Sequence, residues 1–157
     1  MGFHRSSHAV WDCRYHLVWS TKYRKRALLH EHEREACKER LRRIATQYNM
    51  NIESIEVDID HVHIYIEIPP QVAVGKAVGT LKSLSARFMF QRFPYLKQKL
   101  WAGNLWESSY FARSVGDGVT GDMVKRYIEQ HSEQAQNSVQ AELFPQGVTR
   151  PKGKPER

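Results

Sequence analysis

Cysteine is scarce: Cys13 and Cys37 are the 2 in a chain of 157 residues. They form no CxxC pair, and so few thiols exclude a disulfide framework. The expectation is two buried, reduced thiols in a reducing compartment. Long apolar runs are missing as well. Nothing approaches the ~18 consecutive apolar residues of a membrane-spanning helix, and Met1–Cys13 carries no apolar stretch of the signal-peptide kind. Gly75-Lys76 stands outside any GxxxxGK[ST] frame, so a nucleotide-phosphate loop is excluded. Acid is in short supply too, with 17 Asp and Glu against 24 Lys and Arg, a net charge of +7.

What is present is ordinary globular material, 41% hydrophobic and 26% charged, which excludes a disordered or collagen-like chain. A chain of this length buries roughly 70% of its unfolded surface. The positive charge suits a polyanion, because neutralising phosphates releases counterions.

Val10–Trp19 is dense in aromatic and β-branched residues and reads as a strand, followed by the basic cluster Lys22-Tyr23-Arg24-Lys25-Arg26. Between Leu28 and Tyr48, Leu29, Ala36, Cys37, Leu41, Ile44 and Ala45 fall mostly three or four apart, which predicts an amphipathic helix. Ile55, Val57 and Ile59 alternate with polar residues, and the alternation resumes over His61–Ile68 until Pro69-Pro70 stops it. Two antiparallel strands joined by a tight turn near Ile59–His61 are expected. Val72–Phe93 reads as a second helix ended by Pro94, and Tyr110–Ser114 as a further strand. A third helix is expected from Thr120 to about Gln134.

The predicted order of elements is that of an α+β, ferredoxin-like (RRM-like) antiparallel sheet with helices on one face, plus an extra C-terminal helix. The expected organisation is one domain over residues 1–137 and a mobile, basic, Pro/Gly-rich tail over 138–157. Such a sheet leaves one face open for a functional site.

Residues two apart on a strand share a face. With Val62, Ile64, Ile66 and Ile68 turned inward, His61, His63, Tyr65 and Glu67 emerge together on the open side. Imidazoles at that spacing stand about 6–7 Å apart at Cα, which suits two ligands on one divalent ion. Taken alone, it also suits two surface histidines on a polar strand face. On the third helix, Tyr127 and His131 stack one turn apart, as a nucleophile beside a ligand or as packing residues with satisfied polar tips.

Taken together, several ordered blocks resemble one family. They are Tyr15-His16-Leu17-Val18-Trp19-Ser20-Thr21-Lys22-Tyr23-Arg24, Asp60-His61-Val62-His63, Leu105-Trp106, Tyr110-Phe111 ahead of Ser114-Val115-Gly116, and Val124-Lys125-Arg126-Tyr127-Ile128-Glu129. Over about Ala9–Glu133 the chain resembles the HUH nucleases, and more narrowly the single-tyrosine transposases of bacterial insertion sequences of the insertion sequence 200 type. The resemblance implies that His61 and His63 are the paired metal ligands for Mg²⁺ or Mn²⁺, and that Tyr127 attacks a phosphodiester in single-stranded DNA. The third ligand stands four residues after the tyrosine and is often glutamine; here that position is His131, with Gln130 just before it. The resemblance further implies a homodimer with active sites shared between subunits, recognition of DNA hairpins, and a cytoplasmic, nucleoid-associated bacterial or archaeal protein. Lys22, Tyr23, Arg24, Lys25 and Arg26 are the candidate DNA contacts, the tyrosine by stacking.

Three other readings make different predictions. A domesticated relative would act on chromosomal palindromes with the same chemistry. A non-catalytic RNA- or DNA-binding module of the same topology would be indifferent to chelator. A metal hydrolase would activate water and leave no protein-bound DNA.

Overall fold

The computed structural model describes residues 3–100 and 103–116. The expected third helix, with Tyr127, Gln130 and His131, and the expected tail over 138–157 lie outside the described residues.

Four strands form the main sheet: β3 (Arg14–Ser20), β4 (Asn51–Val57), β5 (His61–Glu67) and β6 (Phe111–Val115), in the order β4-β5-β3-β6. Every neighbouring pair is antiparallel. A separate two-stranded ribbon pairs β1 (His4–Arg5) with β2 (Val10–Trp11). The single strand expected over Val10–Trp19 is therefore two. At the break, Arg14 Nε and Nη2 donate to the Asp12 carboxylate at 2.6 and 2.9 Å, and Val10–Trp11 pairs with the ribbon instead of the sheet.

The helices α1 (Glu31–Gln47) and α2 (Val74–Arg92) follow β3 and β5, and a short α3 (Leu96–Lys99) follows α2. The first helix starts later than its apolar spacing predicted. His30 caps it, with Glu33 closing the capping box, so Leu28 is buried in the approach while Leu29 and Tyr48 remain 47% and 46% exposed. Glu33 itself is fully buried and accepts the Tyr95 hydroxyl.

Strand alternation places the core. Leu17 and Trp19, Ile55 and Val57, and Val62, Ile64 and Ile66 share one buried cluster with Leu41 and Ile44 of α1 and Leu81 and Met89 of α2. Helices and core thus take one side of the sheet. On the other side run Arg14, His16, Val18 and Ser20 of β3 and His61, His63, Tyr65 and Glu67 of β5. Glu67 departs from the expected exposure: it is buried at that end, with His4 of the ribbon 2.5 Å from its carboxylate. Cys37 is buried as expected, whereas Cys13 is only half-buried; both are free.

Candidate active site

The turn that delivers His61 is fixed from both sides. Within it, the Asp58 N–H donates to the His61 carbonyl at 2.8 Å, and the Ile59 N–H to the Asp58 carboxylate at 2.7 Å. Just past β3, fully buried Thr21 reaches over and donates its N–H to the Asp60 carbonyl at 2.8 Å and its hydroxyl to the carbonyls of Asp60 and Lys25. The turn and the start of the basic cluster are thereby one hydrogen-bonded unit.

His61 and His63 stand side by side, ring centroids 4.9 Å apart and nearly perpendicular. Each has a partner on Nδ1. The Asp60 carboxylate lies 2.6 Å from His61 Nδ1, and His16 Nε2 lies 3.3 Å from His63 Nδ1. A carboxylate only accepts, so His61 Nδ1 is the donor in this contact, which leaves Nε2 outside it. The nearest acid to that Nε2 is Asp58, at 3.8 Å. Burial, then the neighbouring His61 and His16, hold the His63 pKa below the ordinary histidine value, with Asp58 pulling the other way. A histidine neutral near pH 7 is the form that ligates a metal.

These donors fit a divalent ion: two imidazoles with Asp58 and Asp60 nearby supply nitrogen ligands and negative charge. Among the described residues no group of three ligating side chains converges. The structure does not bear on His131 or Gln130.

The pair opens into a cleft of about 530 Å³, bordered by Ser20, Arg24, Tyr110 and Phe111. Phe111 is 54% exposed. The basic cluster at its rim is shaped by backbone strain, since Tyr23 and Arg24 both hold left-handed φ values, 57° and 50°. Glu107 secures this turn by accepting the Tyr23 N–H at 3.0 Å and Lys22 Nζ at 3.2 Å. The Lys25 ammonium donates to the Lys99 carbonyl at 3.2 Å. Lys22 and Lys25 are thus engaged within the chain, Arg24 faces the histidine cleft, and Tyr23 is 62% exposed. Sequence reasoning singled out Lys22–Arg26 but missed Glu107, whose partners lie more than eighty residues away along the chain.

A histidine pair on the open face of an antiparallel sheet, beside a cleft with an arginine and exposed aromatics, fits the class of domains that handle a nucleic-acid strand. Comparison with known proteins makes this specific. Residues 9–131 match the family described as transposase IS200 like. The chain is 41% identical over 126 residues to the ISDra2 transposase TnpA of Deinococcus radiodurans, covering 80% of this chain and 89% of that protein. It is 33% identical over 133 residues to the IS200 transposase of Salmonella typhimurium, covering 83% and 87%. The crystal structure of a candidate transposase from Deinococcus radiodurans superposes with a TM-score of 0.67 at 38% identity, over 81% of this chain and 96% of that one. A REP-associated tyrosine transposase bound to a REP hairpin shares the fold, with a TM-score of 0.50 at 12% identity over 98% and 94%. The chain belongs to the IS200-like transposase family, and its activity is that of a DNA transposase.

Proposed function

We propose that this transposase cleaves and rejoins single-stranded DNA through a 5′-phosphotyrosine on Tyr127, with Mg²⁺ or Mn²⁺ held by His61, His63 and a third ligand, His131 or Gln130. The observation that carries this reading is the pairing of His61 and His63 on the open sheet face, each engaged through Nδ1. The sheet order and the two helices on one face support a ferredoxin-like fold.

A free tyrosine, with pKa near 10, is a weak nucleophile at neutral pH. His61 and His63 would hold the divalent ion, which would supply Lewis-acid polarisation of the scissile phosphate. Tyr127 forms a new bond from its phenolic oxygen to phosphorus, the bond from phosphorus to the 3′ oxygen breaks, and that oxygen takes up a proton as a free 3′-OH. The phosphotyrosyl bond conserves the phosphodiester, so a second 3′-OH reverses the step and joins new ends. His61 and His63 orient the site, and Arg24, Tyr23 and Arg26 contact the backbone and bases of the strand. DNA hairpins are the recognised feature, and a homodimer that exchanges the Tyr127 segment through Gly116-Asp117-Gly118 is the working assembly.

The test is covalent capture of labelled, hairpin-bearing single-stranded DNA on a denaturing gel. Wild type with Mg²⁺ gives a protein–DNA band; Tyr127→Phe and chelator each abolish it while Tyr127→Phe leaves DNA binding intact. Cleavage that persists in Tyr127→Phe, releasing a free 5′-phosphate, overturns the proposal.

A further inference from the structure

We propose that His16 is the positioning residue for His63, holding it from the neighbouring strand as Asp60 holds His61 from the preceding turn. This rests on the reading that the histidine pair binds a divalent ion through Nε2.

The pairing of β3 with β5 sets Tyr65 opposite His16 and His63 opposite Val18. The two imidazoles are therefore diagonal neighbours on the open face, within reach for long or aromatic side chains. Their ring planes lie 24° apart with centroids 5.5 Å apart, and His16 Nε2 comes within 3.3 Å of His63 Nδ1. On its other side His16 meets the Phe111 ring edge-on at 6.4 Å. His16 is thus held in place by β6 while it holds β5.

A histidine that ligates through Nε2 carries its hydrogen on Nδ1, and that hydrogen requires an acceptor. For His61 the acceptor is the Asp60 carboxylate. For His63 it is the His16 Nε2 lone pair, with His16 in its own Nδ1–H form. His16 is not itself a ligand in this arrangement: its Nε2 is spent on the His63 Nδ1, and among the described residues no three ligating side chains converge. The combined effect is two imidazoles in the same tautomer, both fixed before any ion arrives.

The test uses the full chain, with Mn²⁺ uptake read by electron paramagnetic resonance and no activity assay. His16→Phe removes the acceptor and weakens Mn²⁺ binding by about 10-fold or more, the usual effect of losing a ligand's outer partner. His16→Gln places an amide oxygen where Nε2 stood and retains most of the affinity. In metal-free wild type, long-range ¹H–¹⁵N spectra show His63 protonated on Nδ1, a readout that does not depend on any variant folding. Undiminished Mn²⁺ binding in His16→Phe overturns the proposal. So does a His16→Gln variant as impaired as His16→Phe, or a wild-type His63 protonated on Nε2. A wild type that takes up no Mn²⁺ refutes the metal reading instead, and the His63 tautomer then still decides what His16 does.

Discussion

At the residue scale, the site works by contrast between groups held and groups left available. His61 and His63 are clamped through Nδ1, while Lys22 and Lys25 are drawn into contacts with Glu107 and the Lys99 carbonyl. Arg24 is the cluster's cation at the histidine cleft. Arg24→Ala is therefore expected to lower single-stranded DNA affinity and to reduce the slope of log K against log salt by about 0.7, one phosphate contact on a single strand. Fluorescence anisotropy across a salt series measures it, and an unchanged slope contradicts the assignment. The two thiols divide in a similar way. Burial pushes Cys37 up to about 12, whereas Cys13 is half-buried. A thiol reagent is expected to modify Cys13 alone in the native chain and both cysteines in urea, as counted by mass spectrometry. The histidine pair was legible because a period of two is a local signal. His16 stood in view in the same sequence, but its role was not legible, because it depends on the pairing of strands some fifty residues apart.

At the element scale, the periodic segments were the readable ones. Alternation located β4 and β5, and three-to-four spacing located α1 and α2 to within a few residues. The β1–β2 ribbon escaped, since strands of two residues carry no period, and its consequence, the burial of Glu67 under His4, escaped with it. Burial raises the Glu67 pKa despite the pull of His4 and Arg14. A carboxyl whose folded pKa lies above its unfolded one contributes stability below the unfolded value, and that contribution is lost as pH rises through the folded value. Glu67→Gln removes this loss, so its urea midpoint relative to wild type is expected to rise between about pH 4 and pH 7. A relative midpoint that falls over the same range contradicts it.

Two glycines of α2 offer a second test at this scale. A Cβ at Gly79 meets nothing within 4 Å, while one at Gly75 comes within 3.0 Å of the Tyr110 hydroxyl. Gly79→Ala is expected to stabilise the protein by about 0.5–1 kcal/mol through helix propensity. Gly75→Ala yields less, because Tyr110, on the loop that leads into β6, must move. Urea denaturation of both variants checks the order.

At the scale of the whole molecule, net charge, an open sheet face and a helix-covered core fit together as one device for handling a polyanion. Charge and element order were legible in composition and pattern. The packing of the segment before β6 was not. It arises where Trp106 donates to the buried Ser85 hydroxyl at 2.9 Å and Lys82 bonds the carbonyls of Glu107 and Ser109. These contacts bring the 103–110 segment back over α2 from a distance in sequence that no local pattern encodes. Family membership then supplies the DNA chemistry that the pair of imidazoles alone leaves open.

The most direct measurement is mass spectrometry of the protein–DNA adduct after trypsin digestion. Cleavage after Arg126 releases a peptide that begins at Tyr127 and holds no other tyrosine. The account predicts that this peptide carries the 5′-phosphate of the oligonucleotide on its tyrosine, and only when the divalent ion is present. An adduct on any other residue, or DNA cut to a free 5′-phosphate with no adduct, contradicts it.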